Sequence, residues 1–580
     1  MPAARLPGLA AFAAAVVLAS PAHAAGEPIY LGTELARQQS LAAPAPGAQA
    51  RITAAEPPLT ATPRATCGAG SRPEPGLQGR VPAGAVSADG FTCNMTLLSH
   101  EGQAGGFKVE RFVDKAGHEC AYYDTTLVFP LDAAKNAASP SGVAVLDMAD
   151  PAKPVRTATL QTPAMLSPHE SVLVNQKRGL LAAVMGNPTL YPGFVDVYDL
   201  NADCRHPVLQ SSLPVGLLGH ESGWSPDGLT FYATSLFTNM VTAVDMTNPK
   251  LPVTLWVGQF PSHGFMVSDD GNRGYIAGLS GLQIVDTSEV QARKPDPQVT
   301  EISRLDWTDR SIPQVALPVT IKGTKYLFEI DEFSTGAQGD NLPVGNGPRV
   351  GAARLIDISD EKAPHVVSNI RLEVNQREHR AEIAGDPGAS FLGQGYGGHY
   401  CNVPREVDPG IVACSFILSG LRVFDIRNPL KPREIAYFVA PPADSSVGTG
   451  KTDYAMSRPS FVPARGEIWY SDANSGFYAL RVAKGVWPFP AKASTPPVRC
   501  RSKRVFTIHL KNPRGDHLRS ARVTVDGKRV RVRKGSPKFR VRVDLRGKGR
   551  KTVVVRVRAV TRSGRVVRET RRYRTCRAGT

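Results

Sequence analysis

The chain has 580 residues, and its 69 Lys+Arg against 51 Asp+Glu give a net charge of +18, which by itself suggests a nucleic-acid partner. The charge is unevenly spread: residues 501–580 hold 28 basic and 4 acidic groups, so residues 1–500 are net acidic at −6. With 54 Gly and 48 Pro the composition excludes a chain of long helices and favours short strands joined by turns, and the length exceeds what one core serves.

Residues 1–24 read as a secretory signal: a basic start ending at Arg5, an apolar run over 6–19, and the small-x-small site Ala22-His23-Ala24. Export is therefore expected, with a secreted or extracytoplasmic product. No later run approaches the roughly 18–20 apolar residues of a membrane span. Residues 25–89, rich in Ala and Pro, read as a poorly ordered lead-in. In an oxidising compartment the eight cysteines are expected to pair. Proximity suggests Cys401 with Cys414, Cys500 with Cys576, Cys67 with Cys93, and Cys120 with Cys204.

Residues 90–485 repeat one unit, an alternating strand ending in Asp and followed by an Asn-Pro or Asp-Pro turn. It is clearest in GVAVLDMADPAKP (142–154), MVTAVDMTNPKLP (240–252) and GLRVFDIRNPLKP (420–432). The marker residues are Asp147, Asp199, Asp245, Asp286, Asp357 and Asp425, with Arg481 in a degenerate seventh copy. An Asp there can accept N–H bonds from the turn that follows. Each copy is preceded by a hairpin and followed by one further strand, which makes four strands per unit and a seven-bladed β-propeller. Blade seven lacks an outer strand after Val482, so residues near 91–98 are expected to supply it and close the ring.

The repeat resembles the LVIVD repeat family of exported seven-bladed β-propellers over residues 96–485. That resemblance implies the fold and a surface location, and little biochemistry.

Histidines recur near the start of several blades, at His100, His169, His220, His263 and His399, and three of them precede Glu101, Glu170 and Glu221. Blades five and seven offer Gln314 or Arg310, and Arg458, instead. Gathered round one mouth of the axis, these imidazoles and carboxylates could hold a transition metal such as Cu or Zn.

After a proline-rich linker (486–498), residues 499–580 alternate Val with Arg, as in RVTVDGKRVRVR (522–533), FRVRVDL (539–545) and VVVRVRAV (553–560). They read as a small basic β-sandwich of the immunoglobulin-like kind. The fold class is thus all-β, a propeller followed by a sandwich. The function expected first is a non-catalytic, monomeric binding or scaffold protein. Its propeller would take a protein or glycan ligand, and its basic module would associate with anionic cell-surface polymers. The alternative is a metal-dependent oxidoreductase with a His/Glu site at the axis.

Overall fold

The structure is a computed structural model. It describes residues 51–53, 56–81, 89–127, 140–186, 193–235, 239–278, 281–307, 311–332, 350–389, 395–444, 451–488, 505–535, 539–546 and 552–574.

Among the described residues, seven four-stranded antiparallel units follow one another. Blade 1 pairs Val109–Val113, Glu119–Asp124, Val143–Asp147 and Val155–Leu160 in that order, and blade 2 pairs Leu173–Asn175, Leu180–Val184, Gly193–Asp199 and Val208–Gly216. Blade 3 runs from Gly223–Trp224 to Val253–Gln259, and blade 4 from Gly264–Val267 to Thr300–Asp306. Blade 5 begins with Ile312–Ile321 and Thr324–Glu332, and blade 6 runs from Gly398–Asn402 to Arg433–Val439. Blade 7 takes Ser460–Val462, Glu467–Asp472 and Gly476–Val482 from the end of the repeat and its outer strand, Met95–Glu101, from the beginning. Met95 faces Val482 and Glu101 faces Phe477, so the ring is fastened by an N-terminal strand, as the sequence predicts. The expectation covered residues 91–98, but Phe91–Cys93 goes elsewhere, as a fifth strand on blade 6.

The marker Asp residues do what the repeat requires. In the six intact copies the carboxylate at the end of the third strand accepts the backbone N–H two residues on. Ala149 donates to Asp147 (2.9 Å), Thr247 to Asp245 (2.8 Å) and Arg427 to Asp425 (3.1 Å), and Asp199, Asp286 and Asp357 act likewise. These turns also join blades. Ser99, Ser211 and Ser368 on outer strands donate to the carbonyls of Pro151, Pro249 and Pro429 in the turns of the following blades. A register shift recurs between strands three and four of every blade, from Val145/Leu146 in blade 1 to Leu97/Ser99 in blade 7. Such a bulge increases local twist, as a radially repeated sheet needs.

The lead-in is not loose where it is described. Cys67 is joined to Cys93, and Glu74 and Gln78 are buried against blade 6, where Arg422 binds both Glu74 and Glu434. Composition points to disorder because this segment, rich in Ala and Pro, holds few large apolar residues; it is held by ion pairs and a disulfide instead. Cys120–Cys204 and Cys401–Cys414 are also bonded. The expected Cys500–Cys576 pair lies outside the described residues.

The described residues between 505 and 574 form two sheets. One pairs Val505–Leu510, Phe539–Asp544 and Val532–Lys534; the other pairs Lys528–Val530, Leu518–Val525, Thr552–Thr561 and Val566–Arg574. Ile508, Val523, Val541, Val553 and Val555 fill the space between them, and the alternating Arg residues face out. No helix among the described residues is long and apolar enough to cross a membrane.

Candidate metal centre

Each blade's innermost strand begins at the axis, and the segment entering it presents side chains to one end of the channel. Blade 2 contributes His169 and Glu170 just before Leu173–Asn175, held by consecutive left-handed backbone angles, φ 38° and 77°. For residues other than glycine each such conformation costs roughly 1–3 kcal/mol, and it persists only where surrounding structure imposes it. Gly186 shows part of that constraint, since a Cβ there would lie 2.3 Å from the His169 Cβ. Blade 3 contributes His220 and Glu221, blade 4 His263, and blade 6 His399 on its first strand. Blade 5 supplies no histidine but adds Glu332, the last residue of Thr324–Glu332.

These groups meet. Glu170 Oε2 lies 3.0 Å from His220 Nδ1 and its Oε1 3.3 Å from His399 Nε2. Glu332 Oε1 lies 3.2 Å from His263 Nε2 and its Oε2 3.0 Å from His399 Nε2. The His169 and His220 rings are 4.7 Å apart, and those of His220 and His263 4.5 Å. Phe107 closes one flank, 5.1 Å from His169 and 5.4 Å from His399. All but the half-buried His169 are buried.

The tautomers follow from the far side of each ring. Nδ1 of His263 lies 2.7 Å from the Pro313 carbonyl, Nδ1 of His399 2.7 Å from that of Met456, and Nδ1 of His169 3.2 Å from that of Leu127. A carbonyl only accepts, so each Nδ1 must carry the hydrogen, and Nε2 of the neutral ring presents a lone pair to the centre. Carbonyls behind the ring are the usual outer support of a metal-ligating histidine. A lone pair facing a carboxylate oxygen at about 3 Å is repulsive unless a proton or a metal ion lies between them. Nε2 of His263 has no hydrogen-bond partner among the described residues.

Protonation differs among the rings. Burial, with the charge on His220, pushes His169 down to about 4, and burial carries His263 well below the usual imidazole value. Burial also opposes charge on His399, yet Glu170 and Glu332 outweigh it and lift it to about 9. Two rings are thus neutral near pH 7, while His399 holds a proton between two carboxylates.

Beneath this layer lies a buried polar one. Gln314 Nε2 donates to Glu170 and to Tyr400 Oη (2.7 Å), Tyr400 Oη donates to Glu221 Oε2 (2.7 Å), and Lys108 Nζ donates to that same oxygen. The Lys108 ammonium sits 4.1 Å from the centroid of the Tyr400 ring. Further along the same inner strands is a cavity of about 500 Å³ lined by Glu110, Trp224, Asn402, Arg458 and Phe461 among others.

His169, Glu170, His220, His263 and His399 are therefore brought together, with Glu221 in the adjoining layer. His100 and Glu101, expected at the same mouth, are not. Both lie on the outer strand of blade 7, where the His100 ring packs on Tyr478 (4.6 Å) and Glu101 takes hydrogen bonds from Tyr123 and Arg156. Pairing with blade 7 continues through Glu101, so the chain has not yet turned inward. Phe107 and Lys108 occupy the axial position of blade 1 instead. Arg310 lies outside the described residues, and Arg458 lies at the cavity, 3.8 Å from Glu110. Glu332 carries no sequence signal of its own because it falls in the acidic, Gly-rich stretch 331–348, which by sequence reads as a loop insertion.

No protein-family model matches the chain, and no curated protein does. Among solved structures, U3-55K is 10% identical over 69% of this chain and 100% of its own, with a TM-score of 0.39. RRP9 WD40 repeats are 10% identical over 70% and 99%, with a TM-score of 0.39. Kuenenia stuttgartiensis hydrazine synthase is 13% identical over 54% and 74%, with a TM-score of 0.33.

Proposed function

We propose that this chain is an exported propeller metalloprotein whose axial His/Glu centre holds a first-row transition ion, with the propeller as its rigid scaffold. The observation that supports it is the convergence of imidazole Nε2 atoms, oriented by carbonyls behind the rings, on carboxylate oxygens at 3.0–3.3 Å. Imidazole and carboxylate donors together suit Zn, Cu, Fe and Mn better than Ca or Mg. A bound ion would act as a Lewis acid or, if redox-active, as an electron carrier. The residues of the chain would fix the donors, and the layer formed by Gln314, Tyr400, Glu221 and Lys108 would hold Glu170 in place from beneath. A built donor set of this kind favours the metal-dependent alternative over a purely passive scaffold. The secretory start, the three disulfides and the LVIVD-like repeat support an extracytoplasmic location.

The test is elemental analysis of tag-free protein after incubation with Zn²⁺ and exhaustive dialysis. Wild type should retain zinc stoichiometrically, and a His220→Ala/His263→Ala variant should lose it. Wild type that retains no Zn²⁺, Cu²⁺ or Mn²⁺ overturns the proposal.

A second reading has its own observation. On the outer face of the larger sandwich sheet Arg522 lies opposite Arg558, and Arg558 opposite Arg568. Like charges directly across a sheet repel, and an anion laid along the row relieves that repulsion. We propose that this face holds the protein on anionic surface polymers.

A further inference from the structure

The donors at the axis divide into overlapping groups. They fall into two trios whose ligand atoms lie within 4.8 Å of one another, His169/Glu170/His220 and Glu170/His263/Glu332, and the trios share only Glu170. The two oxygens of Glu170 have different partners, Oε2 facing His220 and Oε1 facing His399. His399 Nε2 lies between Glu170 and Glu332, on the side of the second trio. The imidazoles of blades 2, 3 and 4 follow one another with successive ring centroids 4.7 and 4.5 Å apart.

Resting on the reading of this centre as a metal site, we infer that it holds two divalent transition ions bridged by the Glu170 carboxylate. His169 and His220 would ligate the first ion; His263, His399 and Glu332 would ligate the second. A single ion with donors at about 2.0–2.2 Å would draw on one compact set, whereas two ions about 3.5–4 Å apart are what a shared carboxylate spans. Charge adds the class of ligand. Two divalent ions bring four positive charges, and Glu170 and Glu332 neutralise two. The positive charge left over would suit an anionic ligand, such as a carboxylate or phosphate.

Among the described residues nothing comparable supports a second centre elsewhere. At Asp114, His118 and Asp203 the carboxylates are already engaged, Asp114 by backbone N–H groups and His118, Asp203 by Arg205.

The experiment is a titration of metal-stripped, tag-free full-length chain with Co²⁺, read by its visible absorption, together with zinc counting after dialysis. Two equivalents should bind in wild type and in His118→Ala, and one in Glu332→Gln. One equivalent in wild type overturns the two-ion centre and leaves the metal proposal standing; none overturns both. Two equivalents in wild type but one in His118→Ala would place the second ion at the Asp114 cluster and overturn the inference as well. The wild-type count is decisive alone, so the two-ion centre can be refuted even where a variant fails to fold.

Discussion

Lys108 and Glu221 form a fully buried ion pair, both side chains having 0% exposure. Burial pulls the Lys108 ammonium down from its usual value even with Glu221 beside it. Removing one member should therefore be worse than removing both. In Lys108→Met the Glu221 carboxylate keeps a single side-chain donor, Tyr400 Oη at 2.7 Å, and its Oε1 has no hydrogen-bond partner among the described residues even in the intact protein. The penalty for leaving such a charge uncompensated is about 3–5 kcal/mol. The double variant Lys108→Met/Glu221→Leu removes both charges at similar volume and should recover to within about 1–2 kcal/mol of wild type. Urea unfolding followed by tryptophan fluorescence suits the measurement, because all five tryptophans lie between Trp224 and Trp487 and none in the sandwich. A Lys108→Met loss below about 1 kcal/mol, or a double variant no more stable than the sum of the singles, would refute the reasoning.

Other outcomes follow from the same structure. Asp124 accepts the N–H groups of Phe107 and Lys108 at 2.8 Å each, yet burial outweighs them and pushes its carboxyl up to about 6 from 3.8. The folded state then keeps a proton that the unfolded chain releases, so stability falls as pH rises through that window. The loss is on the order of 3 kcal/mol, and Asp124→Asn should flatten it in urea midpoints compared at either end; an unchanged slope refutes the assignment. Met95, buried in the core shared with Leu480 and Val482, anchors the closing strand, whereas Leu97 on the same strand is 42% exposed. Met95→Ala should cost about 2–4 kcal/mol and Leu97→Ala about 0.5 or less, and equal losses would argue against closure. Replacing Arg522, Arg558 and Arg568 together with Ser should lower the salt concentration at which the full chain elutes from an anionic polysaccharide column, and identical elution would overturn the adhesion reading.

The fold is legible where its cause is local. An Asp at the end of a strand meets the N–H two residues later whatever the rest of the chain does, so Asp147, Asp245 and Asp425 announce their turns in any context. The strand that closes the ring is also legible, because blade seven lacks an outer strand after Val482 and residues just ahead of blade one are left to supply it. What escapes depends on partners far away in sequence. Glu74 meets Arg422 across 348 positions, and no local pattern in an Ala/Pro-rich stretch points to a charge 348 residues on.

The site divides along the same line, and His100 shows why a correct repeat can mislead. His220-Glu221 follows a strand that ended at Gly216, with three residues in which the chain leaves the rim. His100-Glu101 has the same two letters but remains paired with Tyr478 and Phe477, and the turn inward comes only across Gly102 to Gly106. Register, not residue type, decides which histidine reaches the axis. Glu332 is the reverse case, a functional candidate without a repeat signature, because blade 5 donates from the end of its second strand what blades 2, 3, 4 and 6 donate at the start of their first. The ring of blades fixes where the axis is, and any side chain that ends there can join the centre. A repeat motif therefore finds the histidines that duplication copied, while the carboxylate that His263 and His399 share becomes visible only once the circle is closed.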